Sequence, residues 1–207
     1  MKIIVFGGTG SIGRLVVEQA IEQGHDVTVV TRDPAAVEQD SPRLTVEEGD
    51  VFDARALTSV VAGHDAVIVT LGAGRKGGVR AKGTAAIIEA MHETGVRRLI
   101  VQSTLGVGDS RENLDFVWKR LMFGLLLRAA YADHVEQEQQ TRTSGLDWTI
   151  VRPGAFTDGP RTGSYRRGFG PHEKTDLKIS RADVAEFVVE QLTDDTWLRQ
   201  TPALANG

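Results

Sequence analysis

Gly7, Gly10 and Gly13 recur at intervals of three in Gly-Gly-Thr-Gly-Ser-Ile-Gly, directly behind the apolar run Lys2 to Phe6. Ile12, Leu15, Val16 and Ala20 continue behind them at helical spacing. A strand that turns on glycines into a helix is built to hold a diphosphate. One glycine permits the tight turn, another lets the backbone approach the phosphates, and Gly13 lets the helix pack close to the strand. The helix start then offers its free N–H groups and positive dipole end, with Thr9, Gly10, Ser11 and Ile12 at the contact. A purely structural glycine turn is the alternative, and the strand–turn–helix context argues against it.

Further candidates sit where apolar runs end. Arg32 follows Val27 to Thr31, the place where a carboxylate would bind the ribose hydroxyls of NAD and a guanidinium would accept the 2′-phosphate of NADP. Arg32 therefore favours NADP(H), unless it is a surface residue paired with Asp33. Asp50 and Val51, after Leu44 to Glu48, suit an adenine ring, although Asp50 is equally a turn residue. Leu71, Gly72 and Ala73 end the next run and let backbone pass close to a ribose or nicotinamide. Arg75, Lys76, Arg80 and Lys82 come next, either as a phosphate or acid site or as a solvated loop. Ser103 and Thr104 place hydroxyls where the reactive end of a cofactor belongs. Pro153 and Gly154 form a flat backbone platform, and Phe156 can stack on a planar ligand.

The elements that must position these residues alternate. Val27 to Thr31, Leu44 to Glu48, Ala66 to Leu71, Leu99 to Ser103 and Trp148 to Val151 are short, β-branched and apolar, as strands buried on both faces are. Helical patterns lie at Ser11 to Gln23 with a Ser cap, Asp53 to Val61 with an Asp cap, Gly83 to Thr94 before Gly95, and Ser180 to Leu192 with a Ser cap. Strand then helix, repeated, predicts an α/β fold: a doubly wound parallel sheet with helices on both faces, three layers, ligands beyond the carboxyl ends of the strands. Ser110 to Thr143 keeps helical spacing, but its apolar stripe, from Leu114 through Phe123 to Leu127, is too wide for one covered face. It reads as core, as an oligomer face over 114–127, or as the wall of a substrate pocket. A single domain over 1–207 is expected, with a substrate-side elaboration at about 105–130 and 156–178.

The 207 residues are 41% hydrophobic and 25% charged, with a net charge of −4 and no cysteine. An acidic balance gives no field for nucleic acid, and the absence of cysteine excludes disulfides, thiolate nucleophiles and cysteine metal sites. No apolar run approaches the ~20 residues of a membrane span. The strand at the first residues leaves no room for a cleavable signal, so a cytoplasmic location is expected. His25, His64, His92 and His172 have no metal spacing and read as surface residues. No metal is expected.

Taken together, Gly-Gly-Thr-Gly-Ser-Ile-Gly, Thr-Arg-Asp, Gly-Asp-Val, the Thr-Leu-Gly strand end, Gln-Ser-Thr, the run Ser144 to Gly154 and Ile-Ser-Arg-Ala-Asp-Val-Ala resemble the atypical short-chain dehydrogenase/reductases, the NAD(P)H-binding NmrA-like group. In length and motif order the chain is similar to the flavin reductase-like members. The resemblance implies a Rossmann fold, with Thr9 to Ile12 on the pyrophosphate and Arg32 on the 2′-phosphate. It puts Asp50 and Val51 about adenine, Leu71 and Gly72 at the central ribose, and Ser103, Pro153 and Phe156 near nicotinamide. One departure stands out: the superfamily's Tyr-x-x-x-Lys is missing, with Ala130 at the Tyr place, Tyr131 one residue off and His134 at the Lys place. His134 is then either a proton donor beside the acceptor or a structural helix residue.

The expectation is an NADPH-dependent reductase that passes hydride to a planar conjugated acceptor of flavin, quinone or tetrapyrrole type. Such an acceptor takes its proton from solvent and needs no strong built-in acid. Arg161, Tyr165, Arg166, Arg167 and Lys174, within Thr157 to Lys174, would form a basic lid or a loose loop. A non-catalytic NADP sensor and an isomerase or epimerase are the alternatives.

Overall fold

The computed structural model describes residues 1–170, 173 and 175–207. Strand β1 (Lys2–Phe6) lies between β2 (Asp26–Thr31) and β4 (Ala66–Val69), and the full sheet runs β3-β2-β1-β4-β5-β6-β10-β8. Here β3 is Leu44–Glu48, β5 Arg98–Gln102, β6 Asp147–Pro153, β8 Arg166–Arg167 and β10 Ala203–Ala205. All neighbours pair in parallel except β10 with β8. Strand order reverses between β1 and β4, which opens a crevice beyond their carboxyl ends.

Two layers of helices cover the sheet, as the alternating pattern requires. Helices α1 (Gly13–Glu22) and α5 (Arg181–Glu190) pack on one face through Val16, Val17, Val184, Phe187 and Val188. Helices α2 (Ala54–Val61), α3 (Arg80–Thr94) and α4 (Arg128–Thr143) cover the other. Two further strands, β7 (Ala155–Thr157) and β9 (Lys178–Ser180), form a separate parallel pair that sets Phe156 opposite Ile179. Asp53 caps α2 by accepting from Arg55 and Ala56 N–H, and Ser180 caps α5 at Asp183 N–H, both as predicted.

Four local expectations are corrected. Helix α1 starts at Gly13 rather than Ser11, and no side chain caps it. Residues 8–12 are spent on the turn, where Gly10 N–H donates to Gly7 O at 2.9 Å. Strand β3 is not buried on both faces: as the outer strand it leaves Thr45 to Glu48 exposed. Helix α3 begins at Arg80, three residues before Gly83, because Asp133 of α4 accepts from the N–H of Arg80 and Ala81 at 3.1 and 3.0 Å. A cap supplied from 53 residues away has no local signal.

The fourth correction concerns Ser110 to Thr143. A 3₁₀ turn over Gly108–Asn113 is followed by a π-helical stretch over Trp118–Leu126, and only then by α4. The wider winding sends apolar side chains in diverging directions. Leu114 and Phe123 are buried, while Phe116, Val117, Leu121, Leu125 and Leu126 are exposed, Phe116 by 75%. The core reading therefore holds for only part of the stripe. No helix among the described residues is long and apolar enough to cross a membrane.

Candidate cofactor crevice and acceptor cavity

The crevice at the β1/β4 switch has a volume of about 860 Å³. At its floor the glycines do what their spacing predicts. Gly7 has φ +89°, and a Cβ there would stand 2.7 Å from the Thr70 carbonyl. A Cβ on Gly13 would come within 2.0 Å of Gly7 O, so the helix can lie this close to the strand only without a side chain. The hydrogen-bonded series of α1 opens at Arg14 N–H to Gly10 O, 3.0 Å, and the helix start faces the crevice uncapped. Uncapped donors at a dipole's positive end fit a diphosphate.

Of the residues singled out in the sequence, Gly7, Thr9, Gly10, Ser11 and Ile12 line one side of this crevice, and Gly13 packs beneath them. Arg32, Asp50 and Val51 line the end beyond β2 and β3; Leu71, Gly72 and Ala73 line the wall after β4. Arg32 is exposed and has no ion pair among the described residues. Asp33 instead accepts from Ala35 N–H at 3.2 Å, so the surface-pair alternative fails. Asp50 does serve its turn, its Oδ1 accepting from Phe52 N–H at 3.0 Å, and it also borders the crevice. Phe52, half exposed on the same rim, was not foreseen.

Ser103, Thr104, Pro153 and Gly154 do not line the crevice. They line a second, inner space of about 350 Å³ whose far wall is Leu105, Leu114, Trp118, Phe123 and Leu127. Arg80, Gln102 and Phe156 border both spaces and mark their junction. The sequence marks Gln102 only within Gln-Ser-Thr, and Arg80 only within a basic run that suits either a phosphate or acid site or a solvated loop. Arg80 is instead buried in the first turn of α3.

Helix α4 supplies the back of this region with polar side chains in helical register: Asp133, His134, Gln137, Glu138 and Thr141 are all buried. Glu138 accepts from Arg152 Nε and Nη2 at 2.9 and 2.8 Å, from Arg142 Nη2 at 2.8 Å and from the Ser103 hydroxyl at 2.6 Å. Arg152 also reaches Asp109 at 2.6 Å. Burial acts to lower the Arg152 pKa, but the bonds to Glu138 and Asp109 outweigh it and carry it upward. The Ser103 hydroxyl hydrogen is thus engaged in a hydrogen bond to a structural carboxylate. Thr104, half-buried, donates weakly to Leu105 O at 3.3 Å and keeps its hydroxyl at the cavity edge.

His134 lines the inner cavity, where its charged form is disfavoured. Burial, reinforced by the charge of Arg80, lowers its pKa to about 3. Tyr131 does not replace the missing tyrosine: its hydroxyl donates to Gly106 O at 3.2 Å and accepts from Arg111.

Of the two readings of Thr157 to Lys174, a basic lid or a loose loop, the lid finds no support in Arg161, Arg166 and Arg167. Arg161 lies 3.7 Å from both Glu22 and Glu186, Arg167 pairs with Glu190 at 2.8 Å, and Arg166 with Glu173. Acidic side chains, chiefly on α5, have drawn these cations to the sheet's far edge, and none of them lines either space. Lys174 and His172 lie outside the described residues.

A family model described as NAD(P)H-binding matches residues 7–195, and the chain belongs to that family. Solved structures share its fold. One is ChuY of Escherichia coli O157:H7, described as an anaerobilin reductase, at 26% identity and TM-score 0.82, covering 100% of this chain and 97% of that one. A yeast relative, UPF0659 protein YMR090W of Saccharomyces cerevisiae, is 29% identical, with 100% of this chain and 94% of that one covered. A Bacillus subtilis protein named "uncharacterized sugar epimerase YhfK" is 30% identical over 94% of this chain and 89% of its own length.

Proposed function

We propose that the protein is an NADPH-dependent reductase that delivers hydride to a planar, conjugated acceptor of flavin, quinone or tetrapyrrole type. The observation that carries this reading is the pairing of two spaces. A phosphate-cradling crevice joins a cavity with an apolar wall at Arg80, Gln102 and Phe156, where the Ser103 hydroxyl is engaged by Glu138 and burial disfavours the charged form of His134. An alcohol–ketone enzyme would need a group poised to give a proton. A conjugated acceptor can take its proton from water.

The residues present fit NADP(H), which would supply the hydride. The α1 turn would hold its diphosphate, Arg32 its 2′-phosphate, and Asp50 with Val51 its adenine. Phe156 and the apolar wall from Leu105 to Leu127 would stack and dehydrate the acceptor, so the chain's work is positioning. Arg32 carries the preference for NADP(H) over NAD(H). ChuY, described as an anaerobilin reductase, lends the acceptor class support by similarity.

The test is NADPH oxidation, followed by absorbance, with FMN, soluble quinones and a linear tetrapyrrole as acceptors. Turnover of at least one is expected. Tight NADP binding with no acceptor reduced would instead favour the sensor, and conversion of a nucleotide sugar without net NADPH loss would favour an epimerase.

A further inference from the structure

Arg80 is buried beyond what its bonds explain. Its side chain is 10% exposed, yet Nε and Nη1 have no hydrogen-bond partner among the described residues. Nη1 stands 3.5 Å from Asp133 Oδ2, but that carboxylate already accepts the two backbone N–H groups that start α3. Nη2 reaches toward the end of β4, where a Cβ on Gly72 would meet it at 3.9 Å. The imidazole of His134 borders the same cavity and its Nδ1 is also without a partner. Nε and Nη1 are sealed from the cavity, so the guanidinium presents its charge there through Nη2, which is not closed off. Opposite it the wall is apolar, so a charge there acts through a medium of low polarity.

We propose that Arg80 holds an oxygen anion: the acceptor carries a carbonyl oxygen conjugated to the atom that receives hydride, and that oxygen rests against the Arg80 guanidinium. This rests on the reductase reading above and deepens it by naming the group that receives the charge developing on the acceptor. The hydride, two electrons with its proton, would leave a C–H bond of NADPH, giving NADP⁺, and form the new bond on the acceptor. The conjugated π electrons move onto the oxygen, which becomes an anion, and water protonates it afterwards. Arg80 stays protonated throughout and transfers nothing. A preorganised cation at the site where charge develops is the arrangement that lowers such a barrier.

The probe is 2,4-dinitrophenolate, a planar oxygen anion, measured by equilibrium dialysis against protein saturated with NADP⁺. Its uncharged methyl ether serves as the comparison. Wild-type protein should prefer the phenolate by about 10-fold or more. Arg80→Met should erase that preference and Arg80→Lys keep part of it, both binding NADP⁺ within about threefold of wild type. Equal wild-type affinity for phenolate and ether, a preference that survives Arg80→Met, or a parallel collapse of NADP⁺ binding in Arg80→Met would each overturn the proposal. The ether comparison needs no variant to fold. Should the phenolate preference hold while NADPH reduces no acceptor, the anion subsite stands and the reductase reading alone falls.

Discussion

Arg152 and Glu138 meet side by side in the interior, Nε to Oε1 at 2.9 Å and Nη2 to Oε2 at 2.8 Å, with neither residue more than 1% exposed. Glu138→Gln keeps the shape and removes the charge, leaving Arg152 with Asp109 alone. Breaking one side of a buried pair costs about 3–5 kcal/mol. Arg142→Ala removes only a half-exposed contact to the same carboxylate and should cost about 0.5 kcal/mol or less. Urea unfolding of the two variants checks the ranking; equal losses would mean the buried pair is not what holds α4 to β6.

Arg32→Ala should weaken NADPH binding by about 1.5–3 kcal/mol, the scale of a hydrogen bond to a charged group, and leave NADH nearly unchanged. Calorimetric titration with both nucleotides measures this directly. The same loss for both would remove the 2′-phosphate role from Arg32.

Gly13→Ala drives a methyl group to 2.0 Å from Gly7 O and 2.8 Å from the Thr70 hydroxyl. The overpacking should cost about 1–3 kcal/mol or more, together with most of the NADP⁺ affinity. Gly10→Ala meets the same oxygen at 3.2 Å and should be milder. Thermal melts and nucleotide dissociation constants of the two variants are the measurement, and a Gly13→Ala protein that binds normally would contradict the close-packed turn.

His134 gives a pH signature. Its folded pKa of about 3 lies below the unfolded value of 6.5, so the unfolded chain binds the extra proton between those pH values. Stability is fully present above pH 6.5 and falls, by about 1.4 kcal/mol per pH unit at most, as pH drops toward 3. His134→Gln should flatten that slope in urea midpoints taken at pH 7 and pH 5. In NMR the wild-type imidazole should show no titration near neutrality, and a midpoint near 6.5 would restore it as a candidate proton donor.

What could be read from the chain followed from signals that are local. The glycine spacing fixes its own turn, β-branched runs announce buried strands, and Arg32 stands one residue past a strand whose end the pattern locates. Helix α4 hid its part. Its buried stripe is Asp133, His134, Gln137, Glu138 and Thr141, polar residues that hydropathy assigns to solvent and that only distant partners make stable inside. Arg80 was obscured for the same reason, since the carboxylate beside it lies 53 residues away. The π-helical stretch defeated the helical spacing outright, because a wider turn breaks the period on which that spacing relies.

The carboxylate of Asp133 that closes the first turn of α3 has a consequence for how this molecule can change over time. It makes β6, α4 and α3 one braced frame, with the nucleotide seat on one side and the 105–127 segment hung from the other. Asp109 and Arg111 of that segment are tied to the frame through Arg152 and Tyr131, whereas Leu114, Trp118 and Phe123 line the inner chamber without an ion pair to it. Exchanging those three would reshape the chamber while the dinucleotide seat keeps its own supports.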